Sequence, residues 1–312
     1  MLSRRNVRIK VMQILYALSR DKQPELEVIL HQYRDYVRKS FELYLFTLYV
    51  LIRIAEFAKQ DAAKRMSKLL PTDDDKRFTA KLSDNPCIDS LINNDGLNRL
   101  FRAYKMDKKT DDDAIRIFYT EFSKTEEYKQ YVYQENSTDE DHRNILLALF
   151  KHCQQNEMFI EFLEDQYPLW VDDESLIVGA LKKTVKALPV EANFFEGYKP
   201  ADETVREFGE QLLMKVIRED DQLLEMIEPT LKNWDAERVA IIDMILLKMA
   251  LVELMNFPTI PTKVTLNEFV EISKMYSTEK SKDFINGILD RLMKKLQGEG
   301  KINKEGRGLV EE

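Results

Sequence analysis

Residues 265–276 read TLNEFVEISKMY and residues 281–296 read SKDFINGILDRLMKKL. The spacing of their apolar positions decides the fold. Phe269, Ile272 and Tyr276 recur at three- and four-residue steps, and so do Phe284, Ile285, Ile288, Leu289, Leu292 and Leu296. That is the stripe of a helix with one buried face, not the alternation of a strand. Asn286-Gly287 would suggest a hairpin turn between alternating flanks. Its flanks here are helical, so the pair belongs inside a helix. A glycine there costs about 1 kcal/mol against alanine, and such a glycine often marks close approach by another backbone or a ligand. Thr265, with Glu268 three residues on, reads as a capping box opening the first of the two helices.

Moving outward, helices are expected at about 202–217, 219–231 and 235–256 before this pair, with Pro258 and Pro261 punctuating the loop between. At the other end, Val7, Val11, Ile14 and Leu18 form the buried stripe of a helix over 3–20, with Arg5, Gln13, Tyr16 and Arg20 on the opposite side. Pro24 ends that helix. Residues 26–70 read as long aromatic-rich helices stopping at Pro71. Helical periodicity returns near 87–105, 111–134, 139–165 and 173–188, with Ser137 and Glu140 as a second capping box. Residues 189–200 read as a linker, and 298–312 as a disordered tail.

Only 9 Gly and 9 Pro among 312 residues argue for long helices and few tight turns. The expected class is all-α. The longest apolar run, Phe41 to Ile52, is interrupted by Glu42 and too short to cross a bilayer. No apolar stretch follows Arg4, Arg5, Arg8 and Lys10, so the start does not read as a secretory leader. Cys87 and Cys153 lie far apart with no CxxC or Cys/His spacing, which fits a reducing cytoplasm and gives no metal site. The formal net charge of −8 argues against a generic nucleic-acid binder. Residues 1–22 nevertheless hold six Lys/Arg against one acid, a local basic arm of the kind that binds RNA.

Three stretches carry a resemblance. Trp234 to Arg238 leads into ILLKMALVEL at 245–254. Pro261, Lys263, Asn267 and Glu268 follow, and then SKDFINGILD at 281–290. In this order and spacing they resemble the C-terminal subdomain of the NusB family. Arg4, Arg5, Arg8, Gln13 and Tyr16 resemble that family's N-terminal arginine-rich helix. The likeness covers about 2–20 and 202–296. It implies a pair of small helical bundles, here enlarged by an inserted helical region. The expected organisation is an Arg-rich helix at 1–24, an insertion or expanded N-terminal subdomain at 25–200, a C-terminal subdomain at 201–297 and a tail at 298–312.

The resemblance further implies a transcription antitermination factor with no catalytic residues and no cofactor. Its partners would be boxA-type RNA, the ribosomal protein NusE, other Nus factors and RNA polymerase, notably in ribosomal RNA operons. A homodimer is implied when RNA and NusE are absent. The family often has an acid just before the Ser of its Ser-x-x-Phe stretch, where this chain has Lys280. A lysine facing RNA would favour phosphate; it can equally be a solvated charge.

The candidate RNA-binding residues are Arg4, Arg5, Arg8, Gln13, Tyr16, Lys280, Lys282, Phe284, Asn286 and Gly287. The guanidinium groups offer planar, multi-donor contacts to phosphate. Tyr16 and Phe284 can each stack on an unpaired base or pack in the core, and both roles are open. Asn286 can bond a base edge, and Gly287 allows close approach. Trp234, Arg238, Glu253, Asn267 and Glu268 read as structural, the last two organising a helix start. His31, His142 and His152 have no ligand spacing.

Two other classes compete. A protein-only scaffold would recruit a basic partner through the acidic insertion. A ribosomal RNA cytosine methyltransferase would need Gly-rich turns and catalytic cysteines, which the Gly-poor insertion does not offer.

Overall fold

The computed structural model describes residues 1–20, 25–231 and 239–309. Every regular element among them is helical. In chain order they are α1 (Arg4–Arg20), α2 (Leu26–Met66), α3 (Asp73–Arg77), α4 (Pro86–Ile92), α5 (Asp95–Ala103), α6 (Met106–Lys109), α7 (Asp112–Ser123) and α8 (Glu126–Tyr133). Then come α9 (Asp139–Gln154), α10 (Glu157–Gln166) and α11 (Trp170–Lys186). A π-helical turn at Glu203–Glu210 runs into α12 (Gln211–Arg218), followed by α13 (Asp220–Ile227), α14 (Ile241–Asn256), α15 (Thr262–Tyr276) and α16 (Ser281–Gly298). None of these is long and apolar enough to cross a membrane.

The chain forms two compact units. One comprises Met1 and Arg38–Lys199; the other, Leu2–Val37 with Pro200–Glu312. The boundary therefore falls inside α2, one continuous helix, and not in a loop near residue 25.

In the 38–199 unit the apolar run of α2 is the centre. Phe41, Tyr44, Phe46, Leu48, Val50, Leu51 and Ile54 are all buried, so this stretch is enclosed on every side, as an all-round hydrophobic helix must be. Phe118 and Phe159 meet edge-on beneath it at 5.3 Å. The capping box expected at Ser137 lies one residue on: Thr138 caps α9 and Asp141 returns the bond. The segment expected as a linker, 189–200, carries a short 3₁₀ turn at Phe194–Tyr198, with Tyr198 stacked on Tyr44 at 4.7 Å.

In the other unit α14 is central and packs against α1, α12, α13, α15 and α16. Eleven of its residues are buried, among them Asp243, Lys248 and Glu253. Buried charges must be paired, and each finds its partner on a different element. Ser281 Oγ donates to Asp243 Oδ2 at 2.7 Å, Lys248 Nζ to Asp220 at 2.6 Å, and Arg8 to Glu253 through two bonds of 2.7 Å. Near α1, a Cβ on Gly209 would collide with Tyr33 Oη and stand 2.6 Å from Val7 Cγ1, so only glycine fits where Tyr33 donates to Val205 O. The expected free tail is, over 299–309, tied back: Lys304 Nζ donates to Phe257 O and Glu305 N to Pro258 O. Residues 310–312 lie outside the described residues.

Candidate nucleic-acid interface

The residues singled out in the sequence fall into two groups of the second unit. The first surrounds the start of α1. Arg4, Arg5 and Arg8 line a shallow hollow of about 440 Å³ with Ile260, Val264 and Glu268. All three arginines meet acids of their own chain. Arg4 lies 3.4 Å from Glu203, both partly or largely exposed. Arg5 holds Glu268 through two bonds of 2.8 and 2.7 Å, with about half its side chain still in solvent. Burial would raise the Glu268 carboxyl, but the hydrogen bond from Arg5 and the charges of Arg8 and Arg5 outweigh it and hold it below the ordinary range.

Arg8 is different. Its side chain is 3% exposed and that of Glu253 is 0% exposed. Its guanidinium lies over the rings of Phe208 and Phe269 at 5.2 and 5.8 Å. Thr265 Oγ donates to Glu253 Oε1 at 2.8 Å, so one carboxylate ties α1, α14 and α15 together. Arg8 thus presents no edge to a phosphate in this arrangement. Expected at the surface, it is in the framework.

The same contacts correct the capping box. The helix opens three residues earlier, at Thr262 after Pro261. Thr265 is consequently inside it and donates to Glu253, and Glu268 reaches Arg5 and Arg8 in place of its own helix start. Asn267 is exposed in the first turns of α15. On α1, Gln13 is half-buried and Tyr16 is 37% exposed. Arg20 lies 5.4 Å from the Tyr16 ring centre and donates to its hydroxyl, so the ring is held ready with one face occupied by a cation. Neither residue lines the hollow. Trp234 and Arg238 lie outside the described residues.

The second group lines a cleft of about 700 Å³ at the start of α16. Lys280, Phe284 and Gly287 are brought together there, with Asp243, Ser281 and Arg291. Lys282 and Asn286, also on α16, are exposed outside the lining. Phe284 is half-buried, neither core nor free surface. Ser281 explains why the Ser-x-x-Phe pattern begins with a hydroxyl. Its Oγ reaches Ser277, Thr278 and Asp243 within 2.9 Å, which fixes the entry to α16. A Cβ on Gly287 would meet only Arg291 Nη2, at 3.9 Å. No neighbour among the described residues demands a glycine there.

Asp243 and Arg291 escaped the sequence reading. Asp243 is 5% exposed, and its Oδ1 has no hydrogen-bond partner among the described residues. Its signal was available: an acid in a helix as apolar as 241–256, like Lys248 and Glu253 beside it, must answer to something. Arg291, whose Nη1 donates to Thr230 O at 3.2 Å, reads in the sequence like any charge on the solvent side of a helix. Among the described residues, no group of acids, His and Cys is arranged to hold a metal.

The NusB family model matches residues 179–294, starting inside α11, earlier than the expected 202, and not including α1. The chain is 40% identical over 109 residues to the transcription antitermination protein NusB of Salinibacter ruber (strain DSM 13855 / M31), covering 35% of this chain and 68% of that protein. It is 38% identical over 100 residues to the transcription antitermination protein NusB of Methylacidiphilum infernorum (isolate V4), covering 32% and 70%. It is also 38% identical over 111 residues to that of Chloroherpeton thalassium (strain ATCC 35110 / GB-78), covering 36% and 53%. A likeness of this extent means that the chain belongs to the NusB family.

Proposed function

We propose that this protein is a transcription antitermination factor and that its second unit, Leu2–Val37 with Pro200–Glu312, binds boxA-type single-stranded RNA together with NusE. The carrying observation is Gly287. A mid-helix glycine that no packing among the described residues requires sits in one cleft with a half-buried phenylalanine and an exposed lysine. The family relation supplies the ligand class. In this reading Phe284 stacks on an unpaired base, Gly287 admits the backbone, and Lys280 and Lys282 meet phosphates. Asp243 Oδ1, buried without a donor among the described residues, accepts an N–H from the occupant. Arg4 and Arg5 reach phosphate by exchanging their carboxylate partners, Tyr16 offers the ring face that Arg20 leaves open, and Arg8 is not assigned to RNA. The protein works as an adaptor on elongating RNA polymerase, without a catalytic step.

A scaffold that recruits a basic partner is the second reading. It draws support from the pairing of all three N-terminal arginines with acids of the same chain.

Fluorescence anisotropy with a short boxA RNA and a scrambled control, with and without NusE from the same organism, separates them. Preference for boxA that tightens with NusE and weakens with salt supports the antitermination role. Equal or absent binding to both RNAs with NusE present overturns it.

A further inference from the structure

The 38–199 unit contains a run of cations that the family relation does not account for. Arg99, Arg102, Lys105 and Lys108 follow one another at three-residue steps across α5, the turn after it and α6. All four side chains are exposed, and none has an ion pair, side-chain hydrogen bond or ring contact among the described residues. Elsewhere in this unit both habits occur: Lys59, Lys64, Lys151 and Lys182 are exposed and in no ion pair, though not in a run of even spacing. Lys76, Arg116, Lys124 and Lys129 each pair with an acid three residues before, as Asp73, Asp113, Glu121 and Glu126. Asp107, the acid within the run, and Asp95, four residues before it, are exposed and stand in no ion pair with it.

Two further features mark the place. Lys105 has φ of 53°, the one left-handed non-glycine residue described. That conformation costs a side-chain-bearing residue about 1–2 kcal/mol, and here no side-chain contact holds the lysine to it. Strain of this kind collects at functional positions. Tyr104, half-buried between Arg102 and Lys105, lies close enough to Glu42, Arg38 and Lys199 to feel all three charges, one acid against two cations. Unpaired cations at regular spacing with an aromatic ring among them are the elements of a single-stranded nucleic-acid track.

We propose that Arg99, Arg102, Lys105 and Lys108, with Tyr104, form a second RNA-binding surface on the 38–199 unit, one that takes the phosphate backbone without regard to sequence. On a chain of net charge −8 this surface gives the inserted unit a grip on RNA outside the boxA element. The inference does not depend on the α16 cleft, because its probe has no boxA sequence.

The test uses the full chain and a fluorescein-labelled uridine 30-mer. One variant carries R99Q, R102Q, K105Q and K108Q; a matched control carries K76Q, R116Q, K124Q and K129Q, which removes the same charge from paired positions. Circular dichroism melts near wild type for both confirm folding, as expected for exposed side chains. The first variant should bind at least tenfold more weakly at low salt. Its log affinity against log salt should be shallower by about 2.8, for four phosphates at about 0.7 each. The control should stay within about threefold of wild type. Unchanged affinity in the first variant, or an equal loss in the control, overturns the proposal. So does a wild-type chain that fails to bind the 30-mer at low salt. Loss of boxA preference with this difference intact would instead remove only the reading of the α16 cleft.

Discussion

Replace Arg8 by methionine and the carboxylate of Glu253 is stranded. It loses two bonds of 2.7 Å at a site where neither side chain is more than 3% exposed. Removing one partner of a buried ion pair costs about 3–5 kcal/mol. Thr265 Oγ still donates to Glu253 at 2.8 Å, which keeps part of the charge solvated and puts the expected loss near the low end, about 3 kcal/mol. With a urea dependence of about 2 kcal/mol per molar, the unfolding midpoint should fall by roughly 1.5 M. The double variant R8M/E253M leaves no charge behind and fills the space with apolar side chains of similar length beside Phe208 and Phe269. It should recover most of the loss, since apolar replacement of a whole buried pair is often neutral or better. Urea titrations of wild type, both single variants and the double variant, followed by circular dichroism, form the cycle. If R8M shifts the midpoint by less than about 0.5 M, or if the double variant is no better than the singles, the reasoning that makes this pair the hub of three helices is wrong.

Gly287→Ala should stabilise the protein by about 0.5–1 kcal/mol, because a Cβ there meets only Arg291 at 3.9 Å, while weakening boxA binding; a variant that melts higher and binds RNA as before would clear Gly287 of any role in the interface. Gly209→Ala should do the reverse, lowering stability by about 1–3 kcal/mol through its clash with Tyr33, and an unchanged thermal melt would contradict that. The Glu268 carboxyl, held below its ordinary value by Arg5 and Arg8, contributes stability that is present above the unfolded carboxylate range near pH 4.5 and is lost as pH falls through the lower folded value. Glu268→Gln should therefore flatten the acid limb of stability against pH below that range and leave the limb above pH 6 parallel to wild type. Calorimetry over pH 2.5–7 reads this directly, and an acid limb as steep as wild type would count against it.

The helical class and the placement of α15 and α16 were legible because both signals are local: apolar spacing survives in one strip of sequence. Capping was read less well. Thr265 and Glu268 have the spacing of a box, but Pro261 starts the helix early and a distant arginine takes the glutamate. Thr138 and Asp141 outcompeted Ser137 and Glu140 for a similar reason, since the cap is chosen by where the chain turns, not by residue type. Arg8 shows the limit most clearly. Its partner is 245 positions away, and no local pattern distinguishes it from Arg5, which stays half in solvent. In the cleft, Phe284 and Gly287 were readable from the motif, whereas Asp243 needed the inference that an acid in an apolar helix must be answered.

Asp243, Lys248 and Glu253 are spaced five residues apart on α14. At 100° per residue each step turns the helix by about 140°, so the three charges point to three sectors of its circumference, toward α16, α13 and α1. Apolar side chains tolerate sliding and rotation, since one leucine contact much resembles another. Three keyed charges do not. A rotation of α14 by a single residue would leave all three facing hydrocarbon, so the helix has one admissible angular setting. That setting determines where Ser281 holds the entry of α16, and with it the orientation of the Phe284 ring. The aim of a surface side chain is in this way set by an indexing device inside the protein, and substitutions at Lys248, which touches neither cleft nor arginine hollow, are expected to alter the geometry of both.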